Sequence, residues 1–295
     1  MNVGYIGLGA RGAAFAYRLA SSYPIQVYDA DRACMQAFDV TKATQAVDLR
    51  SLASASDVIL LSLVDQDEVE DTLFGPMGLA QGLKPGTLVI DQTTGDPSRT
   101  RALAARLAAE HGITLVDAPT SAQPDEIAAG TACLMCGGSN ASIEAARPIL
   151  TTLSENIVYC GEAGNGHAAA LVSHAAALCN RLITYEGATL AVKYGLSLDA
   201  TSAVINKSGA WNGASERVLP ILGSGGDTLC QPVAQSKKDL HAAIHAAVGC
   251  GVPMFIANTV HSLLEMANNE AEPAAGVDEI ARLFEKMART RFAGA

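Results

Sequence analysis

Gly7-Leu8-Gly9-Ala10-Arg11-Gly12 follows directly on the apolar run Asn2–Gly7 and opens a helical stretch. In that setting Gly7 permits a tight turn, Gly9 lets main chain approach a pyrophosphate, and Gly12 lets the helix pack on the sheet. The N–H groups of the first helical turn then face the phosphates. Val27-Tyr28-Asp29-Ala30 places an acid at the end of a second strand, at about the expected 20-residue distance. A carboxylate there hydrogen-bonds both ribose hydroxyls and repels a 2′-phosphate, so NAD is the expected cofactor and NADP is disfavoured. Arg32 nearby softens that preference. The competing reading is a glycine-rich turn that holds no ligand.

Two further groupings carry candidate chemistry. Cys133 and Cys136 have CxxC spacing, but they sit in Thr131-Ala132-Cys133-Leu134-Met135-Cys136, which reads as a buried strand, and a second ligand pair is missing. A metal is therefore not expected. Asn206-Lys207-Ser208-Gly209-Ala210-Trp211-Asn212 sets the sole tryptophan beside glycines after a helix. That suits a loop over a pocket, with Trp211 and Asn212 against a substrate; packing or a subunit interface is the equal alternative for Trp211.

Composition bounds the rest. The chain has 295 residues, 49% of them hydrophobic, enough for two domains with sizeable cores. A net charge of −10 argues against nucleic-acid binding, which needs a basic face. No stretch approaches the roughly 20 apolar residues that span a bilayer. Seven scattered cysteines and the lack of a signal segment fit a reduced, cytoplasmic compartment.

The elements that position these residues alternate in type. Strands are expected at Asn2–Gly7, Ile25–Tyr28, Val58–Leu63, Thr87–Asp91, Thr114–Asp117 and Ala132–Cys136, with helices such as Ala13–Ser21 and Arg99–His111 between them. This is the rhythm of a doubly wound parallel sheet. After Gly166 only helices are expected: His167–Val192, Leu198–Ser208, Gln235–Val248, Pro253–Asn268 and Val277–Arg289. The fold class is thus α/β, a Rossmann domain over residues 1–162 followed by a long linking helix and an all-α domain over 163–295.

Taken in order, the motifs resemble the β-hydroxyacid dehydrogenase family. After the Gly7–Gly12 turn come Leu61-Ser62-Leu63-Val64, Asp91-Gln92-Thr93-Thr94, Asp117-Ala118-Pro119-Thr120-Ser121, Gly130-Thr131, Gly164-Asn165-Gly166, Glu186 and Lys238-Asp239-Leu240. The resemblance covers nearly the whole chain. It implies that Leu63, Val64 and Thr94 line the path from adenosine to nicotinamide, that Ser121 and its neighbours face the substrate, and that Lys238 approaches the nicotinamide end. It also implies NAD-linked oxidation of a small hydroxy compound, or the reverse reduction, in a homodimer or homotetramer.

At the catalytic helix the chain departs from the family. The family's lysine and the asparagine one turn later fall on Ala170 and His174. Oxidising a carbinol needs a group that moves the hydroxyl proton, which a methyl cannot do. Residues 167, 170, 171, 174 and 178 share one helix face, so His167 and His174 flank Ala170. An imidazole with an unperturbed pKa of about 6.5 is a sound proton shuttle. Three readings stay open: a lysine removed from position 170, an active enzyme using His174 or another acid as in the related imine reductases, and a cofactor-binding protein without turnover. The substrate stretch departs too. In place of the family's Ser-Gly-Gly stand Ser121-Ala122-Gln123-Pro124-Asp125; proline offers no N–H, and Gln123 brings an amide instead. The substrate is expected near Ser121, Ala170 and His174, and to differ from 3-hydroxyisobutyrate.

Overall fold

Strands covered on both faces need apolar residues at successive positions rather than at every second one, and Val58-Ile59-Leu60-Leu61 is such a run. The computed structural model describes residues 1–39, 41, 43–224, 231–270, 272 and 275–292. It divides into two units, Met1–Ala170 and Leu171–Ala295. The first contains β1 (Val3–Ile6), α1 (Ala10–Ala20), β2 (Ile25–Tyr28), α2 (Arg32–Ala37), β3 (Ala43–Gln45), α3 (Leu49–Ala55), β4 (Val58–Leu61) and α4 (Gln66–Phe74). It continues with β5 (Leu88–Asp91), α5 (Pro97–His111), β6 (Thr114–Asp117), α6 (Pro124–Ala129), β7 (Leu134–Gly137), α7 (Asn140–Leu153) and β8 (Ile157–Gly161).

Among the described residues the strands form one eight-stranded sheet in the order β3-β2-β1-β4-β5-β6-β7-β8. Neighbours are parallel except β6 and β7, which meet antiparallel through Asp117 and Gly137. Alternate residues serve opposite faces. Val3, Tyr5, Val58 and Leu60 join one buried cluster with Phe15 and Leu19 of α1, while Ile6, Ile59 and Leu61 join another with Leu52 of α3 and Val69 of α4. This two-sided burial explains why the strands read as continuous apolar runs. Register sets Asp91 opposite Asp117 at the carboxyl ends of β5 and β6, the edge at which open α/β sheets bind ligands.

Helix α8 (Asn165–Lys193) begins in the first unit and continues into the second. The second unit adds α9 (Leu198–Asn206), α10 (Gly213–Ser224), α11 (Val233–Gly249), α12 (Phe255–Glu270) and α13 (Glu279–Ala288). Its core gathers Leu182, Tyr185, Val218, Leu240, Val260, Leu264, Ile280 and Phe284. Arg181 and Tyr185 of α8 both bind Asp278 there.

Local chemistry sets the boundaries. Asp96 accepts from the N–H groups of Ser98 and Arg99 at 2.7 and 2.9 Å, Pro97 takes the first position of α5, and Gly112 ends that helix in the left-handed region. Several elements differ from expectation. β3 is short and polar, so it lacks the apolar signature of the inner strands; β8 is an apolar run, Ile157-Val158-Tyr159-Cys160-Gly161, that the expected strands left out. β7 starts at Leu134, leaving Cys133 outside it and exposed. α10 (Gly213–Ser224) was not among the expected helices, and it carries Pro220 inside it.

Candidate active site

The loop between β1 and α1 cannot be built with side chains at two of its glycines. Gly7 has φ +93°, and a Cβ there would lie 2.1 Å from the carbonyl oxygen of Ser62. At Gly12 a Cβ would lie 2.0 Å from the carbonyl oxygen of Gly7. At Gly9 nothing comes within 4 Å. The first two glycines thus permit the turn and its packing, while the third leaves bare main chain facing open space. Gly9 caps α1 without any side-chain acceptor, which leaves the first-turn amides available to an anion. Leu8 is buried beneath the loop, and Ala10 and Arg11 begin the helix.

Asp29 follows β2 and closes this loop from behind. Its Oδ2 accepts the N–H of Leu8 at 2.6 Å, and its Oδ1 accepts the N–H of Asp31 at 2.7 Å. Each carboxylate oxygen keeps lone pairs for a further donor, so the group can hold the turn and a ribose together. Arg32 stands exposed at the start of α2. These residues fit a dinucleotide: an open cradle, a helix N-terminus and an acid at the second strand's end.

The loops after β4 and β5 are tied to each other. Leu63 donates its N–H to Thr93 Oγ1 at 3.0 Å, and Thr93 donates its N–H to Asp91 Oδ1 at 2.9 Å. Val64 donates its N–H to Glu68 Oε2 at 2.8 Å, while its side chain is 64% exposed, uncovered by the fold itself. Thr94 is half-buried at the end of the same segment. Burial holds the Asp91 carboxyl above the usual carboxylate range, with the His167 charge opposing and the Asp117 charge adding.

The stretch Ser121–Asp125 leads into a helix. Ser121 is exposed, and buried Ala122 donates its N–H to Thr120 Oγ1 at 3.2 Å. Gln123 is the N-cap of α6, its N–H bound by Glu126 Oε2 at 2.8 Å, and Pro124 is the first helical residue. The proline that removes a donor from this stretch is therefore a helix-start residue.

The helix face 167–174 has a different organisation from the one expected. His167 is fully buried, with Nδ1 2.7 Å from Thr100 Oγ1 and its own N–H donated to Asp117 Oδ2 at 2.8 Å. It is an anchor of α8 and not a group open to substrate. Ala170 is likewise fully buried. In the second unit His174 Nδ1 lies 4.0 Å from Asp239 Oδ2. Asp239 is in turn gripped by Gln231 Nε2 at 2.6 Å and Gln235 Nε2 at 2.9 Å. Sequence reasoning selected Lys238, which is exposed, and passed over its neighbour Asp239. The i, i+4 spacing of Gln235 and Asp239 on α11 was the available signal.

Trp211 is 57% exposed in the connection between α9 and α10. Asn212 turns inward, its Oδ1 accepting the N–H groups of Ala214 and Ser215, so it caps α10. Cys136 is buried in β7, which pushes its thiol up to about 12, and neither it nor exposed Cys133 is paired. Cys230 lies outside the described residues. Among the described residues no group of three or more His, Cys, Asp or Glu is arranged to hold a metal. No helix among them is long and apolar enough to cross a membrane.

Comparison with known proteins follows the same division. Residues 2–161 match the NAD binding domain of 6-phosphogluconate dehydrogenase, and residues 164–284 match the NAD-binding domain of NADP-dependent 3-hydroxyisobutyrate dehydrogenase. The chain is 29% identical to 2-(hydroxymethyl)glutarate dehydrogenase of Eubacterium barkeri, over 100% of this chain and 98% of that one. It is 30% identical to a probable mitochondrial 3-hydroxyisobutyrate dehydrogenase of Dictyostelium discoideum, over 88% of this chain and 84% of the relative. A crystal structure of 3-hydroxyisobutyrate dehydrogenase from Salmonella typhimurium superposes with a TM-score of 0.83 at 23% identity, covering 96% of this chain and 99% of that one.

Proposed function

This chain belongs to the β-hydroxyacid dehydrogenase family of NAD(P)-dependent oxidoreductases, and on that premise we propose that it uses NAD to interconvert a small hydroxy compound and its carbonyl form. The observation that carries the cofactor reading is the open main chain at Gly9, backed by the Asp29 carboxylate. A 2′-phosphate placed beside that carboxylate meets like charge. Leu63, Val64 and Thr94 carry the path from adenosine toward the nicotinamide.

The bound dinucleotide supplies the hydride acceptor in one direction and the donor in the other. The chain's own task is to take the hydroxyl proton as the carbonyl forms and to return it in the reverse direction. We assign that task to His174. Asp239, fixed by two glutamine amides, lies 4.0 Å from its Nδ1 and orients the ring. Ala170 leaves position 170 without a titratable group. Ser121 and Gln123 supply the polar contacts to the substrate, in a stretch that differs from the relatives' carboxylate-gripping glycines.

The assembly proposed is a homodimer or larger homo-oligomer. Val172, Ile183 and Leu190 are 71%, 58% and 60% exposed, and their spacing puts them on one stripe of α8. A second copy of the chain covers such a stripe at the cost of no new surface chemistry. Light scattering gives the mass directly. For the chemistry, hydroxy acids and aldehydes are screened with NAD(H) and NADP(H) by absorbance. Turnover restricted to NADP(H), or its absence with every substrate while NADH binds, counts against the assignment.

A further inference from the structure

The side chain of Thr100 has one proton and two neighbours that compete for it. Its Oγ1 lies 2.8 Å from the carbonyl oxygen of Asp96 and 2.7 Å from Nδ1 of His167. A carbonyl only accepts, so the hydroxyl donates to Asp96, and the short contact to His167 is made by an Nδ1–H donating to Thr100. That fixes one proton on Nδ1 and leaves Nε2 to be accounted for. Nε2 faces Oδ2 of Asp91 at 3.9 Å, both side chains are fully buried, and neither atom has a hydrogen-bond partner among the described residues. With a bare Nε2 and an ionised Asp91, a lone pair would face a negative charge between two fully buried side chains.

The surroundings sharpen the conflict. Asp117, paired with Asp91 across β5 and β6, is also fully buried, but its oxygens are occupied by the N–H groups of Gly164 and His167 at 2.7 and 2.8 Å. It sits at the start of α8, where a negative charge is stabilised. Tyr5 faces the cluster from β1 through Gln92 and is held neutral by burial. Cys136 of β7, also kept as the thiol by burial, adds no charge. From α5, Arg101 packs beside Gly164, whose N–H binds Asp117. The helix terminus and Arg101 serve Asp117, so that among the described residues His167 is the ion-pair partner that the structure gives Asp91.

We propose that Asp91 and His167 together hold one additional proton between Oδ2 and Nε2 at neutral pH, so that the pair is net neutral and pins the first turn of α8 to the loop carrying Thr93 and Thr94. His167 is then a positioning residue. It stands three places before position 170 and sets where that turn of the helix lies. Burial raises the proton affinity of Asp91, in the same sense.

Linkage gives the test. Above pH 6.5 the unfolded chain binds no proton at either residue, because free Asp and His titrate near 3.9 and about 6.5. The folded pair binds one, so it contributes roughly a tenfold rise in the unfolding constant per pH unit as pH increases. In Asp91→Asn the new amide donates to a neutral Nε2, and that contribution vanishes. Below pH 6.5 the sign reverses for the variant alone, since its unfolded histidine takes up a proton that the folded one refuses.

Denaturant unfolding of the full chain between pH 5.5 and 8.5 therefore separates wild type from Asp91→Asn by about one proton. Parallel profiles overturn the proposal. Should the variant not fold, 15N-histidine and 13C-aspartate spectra of the unmodified protein at pH 7.5 decide it. The expected result is an Nδ1-protonated His167 with a second proton on Nε2 or on Asp91. An ionised Asp91 beside a singly protonated imidazole contradicts it.

Discussion

The main-chain N–H of Leu8 donates to Oδ2 of Asp29 at 2.6 Å, joining the glycine turn after β1 to the acid after β2. One carboxylate thus shapes the glycine turn and, in the proposed function, also meets the sugar of the same ligand. Its replacement tests both jobs. Asp29→Ser removes the charge proposed to exclude a 2′-phosphate, and the ratio of kcat/KM for NADP+ to that for NAD+ is expected to rise at least about tenfold, a change of roughly 1.4 kcal/mol in relative transition-state binding. Steady-state kinetics with both cofactors measures it.

The two kinds of glycine in the turn separate folding from binding. Gly12→Ala drives a methyl against the Gly7 carbonyl, and such overpacking costs about 1–3 kcal/mol of stability. Gly9→Ala meets no protein atom, so its unfolding midpoint stays near wild type while NADH affinity falls about tenfold or more, a loss of roughly 1.4 kcal/mol. Denaturation and calorimetric titration of both variants check this.

Removing the proposed proton carrier leaves the cofactor cradle intact. His174→Ala is expected to lower kcat by about 10²–10⁴, the usual worth of general acid–base catalysis, with the NADH dissociation constant unchanged. Asp239→Asn removes the carboxylate beside the imidazole and is expected to lower kcat less than His174→Ala does, with the NADH dissociation constant again unchanged. Kinetics across pH 5–9 reads both effects.

Position 170 distinguishes a reorganised site from a damaged one. Ala170 is fully enclosed, and a lysine there must place its ammonium in a space now filled by packing. Ala170→Lys is expected to lower turnover. A gain of a hundredfold or more in kcat would show instead that this position is the one that moves the proton.

The glycine turn was legible because its residues are close in sequence: Gly7, Gly9 and Gly12 form one turn, and Asp29, whose carboxylate ties it, follows β2. The inner strands were legible because burial on both faces demands unbroken apolar runs, as in Val58–Leu61. β3 escaped because an edge strand carries polar residues and needs only a few of them, as in Ala43-Thr44-Gln45; β8 carries an apolar run, Ile157–Cys160, and was passed over all the same. Pro124 read as a lost hydrogen-bond donor until its place at the start of α6 showed what it does. His174 and Asp239 are 65 positions apart, and only the packing of α8 against α11 shows that they meet. The burial of His167 was hidden for a related reason: helical spacing gives a shared face but does not say what covers each residue on it.

Calorimetric titration of the full chain with NADH tests the central claim most directly. Binding at one site per chain, weakened at least about tenfold in Gly9→Ala without loss of folding, is the result expected. Absence of measurable binding, or affinity indifferent to substitution at both Gly9 and Asp29, would contradict it.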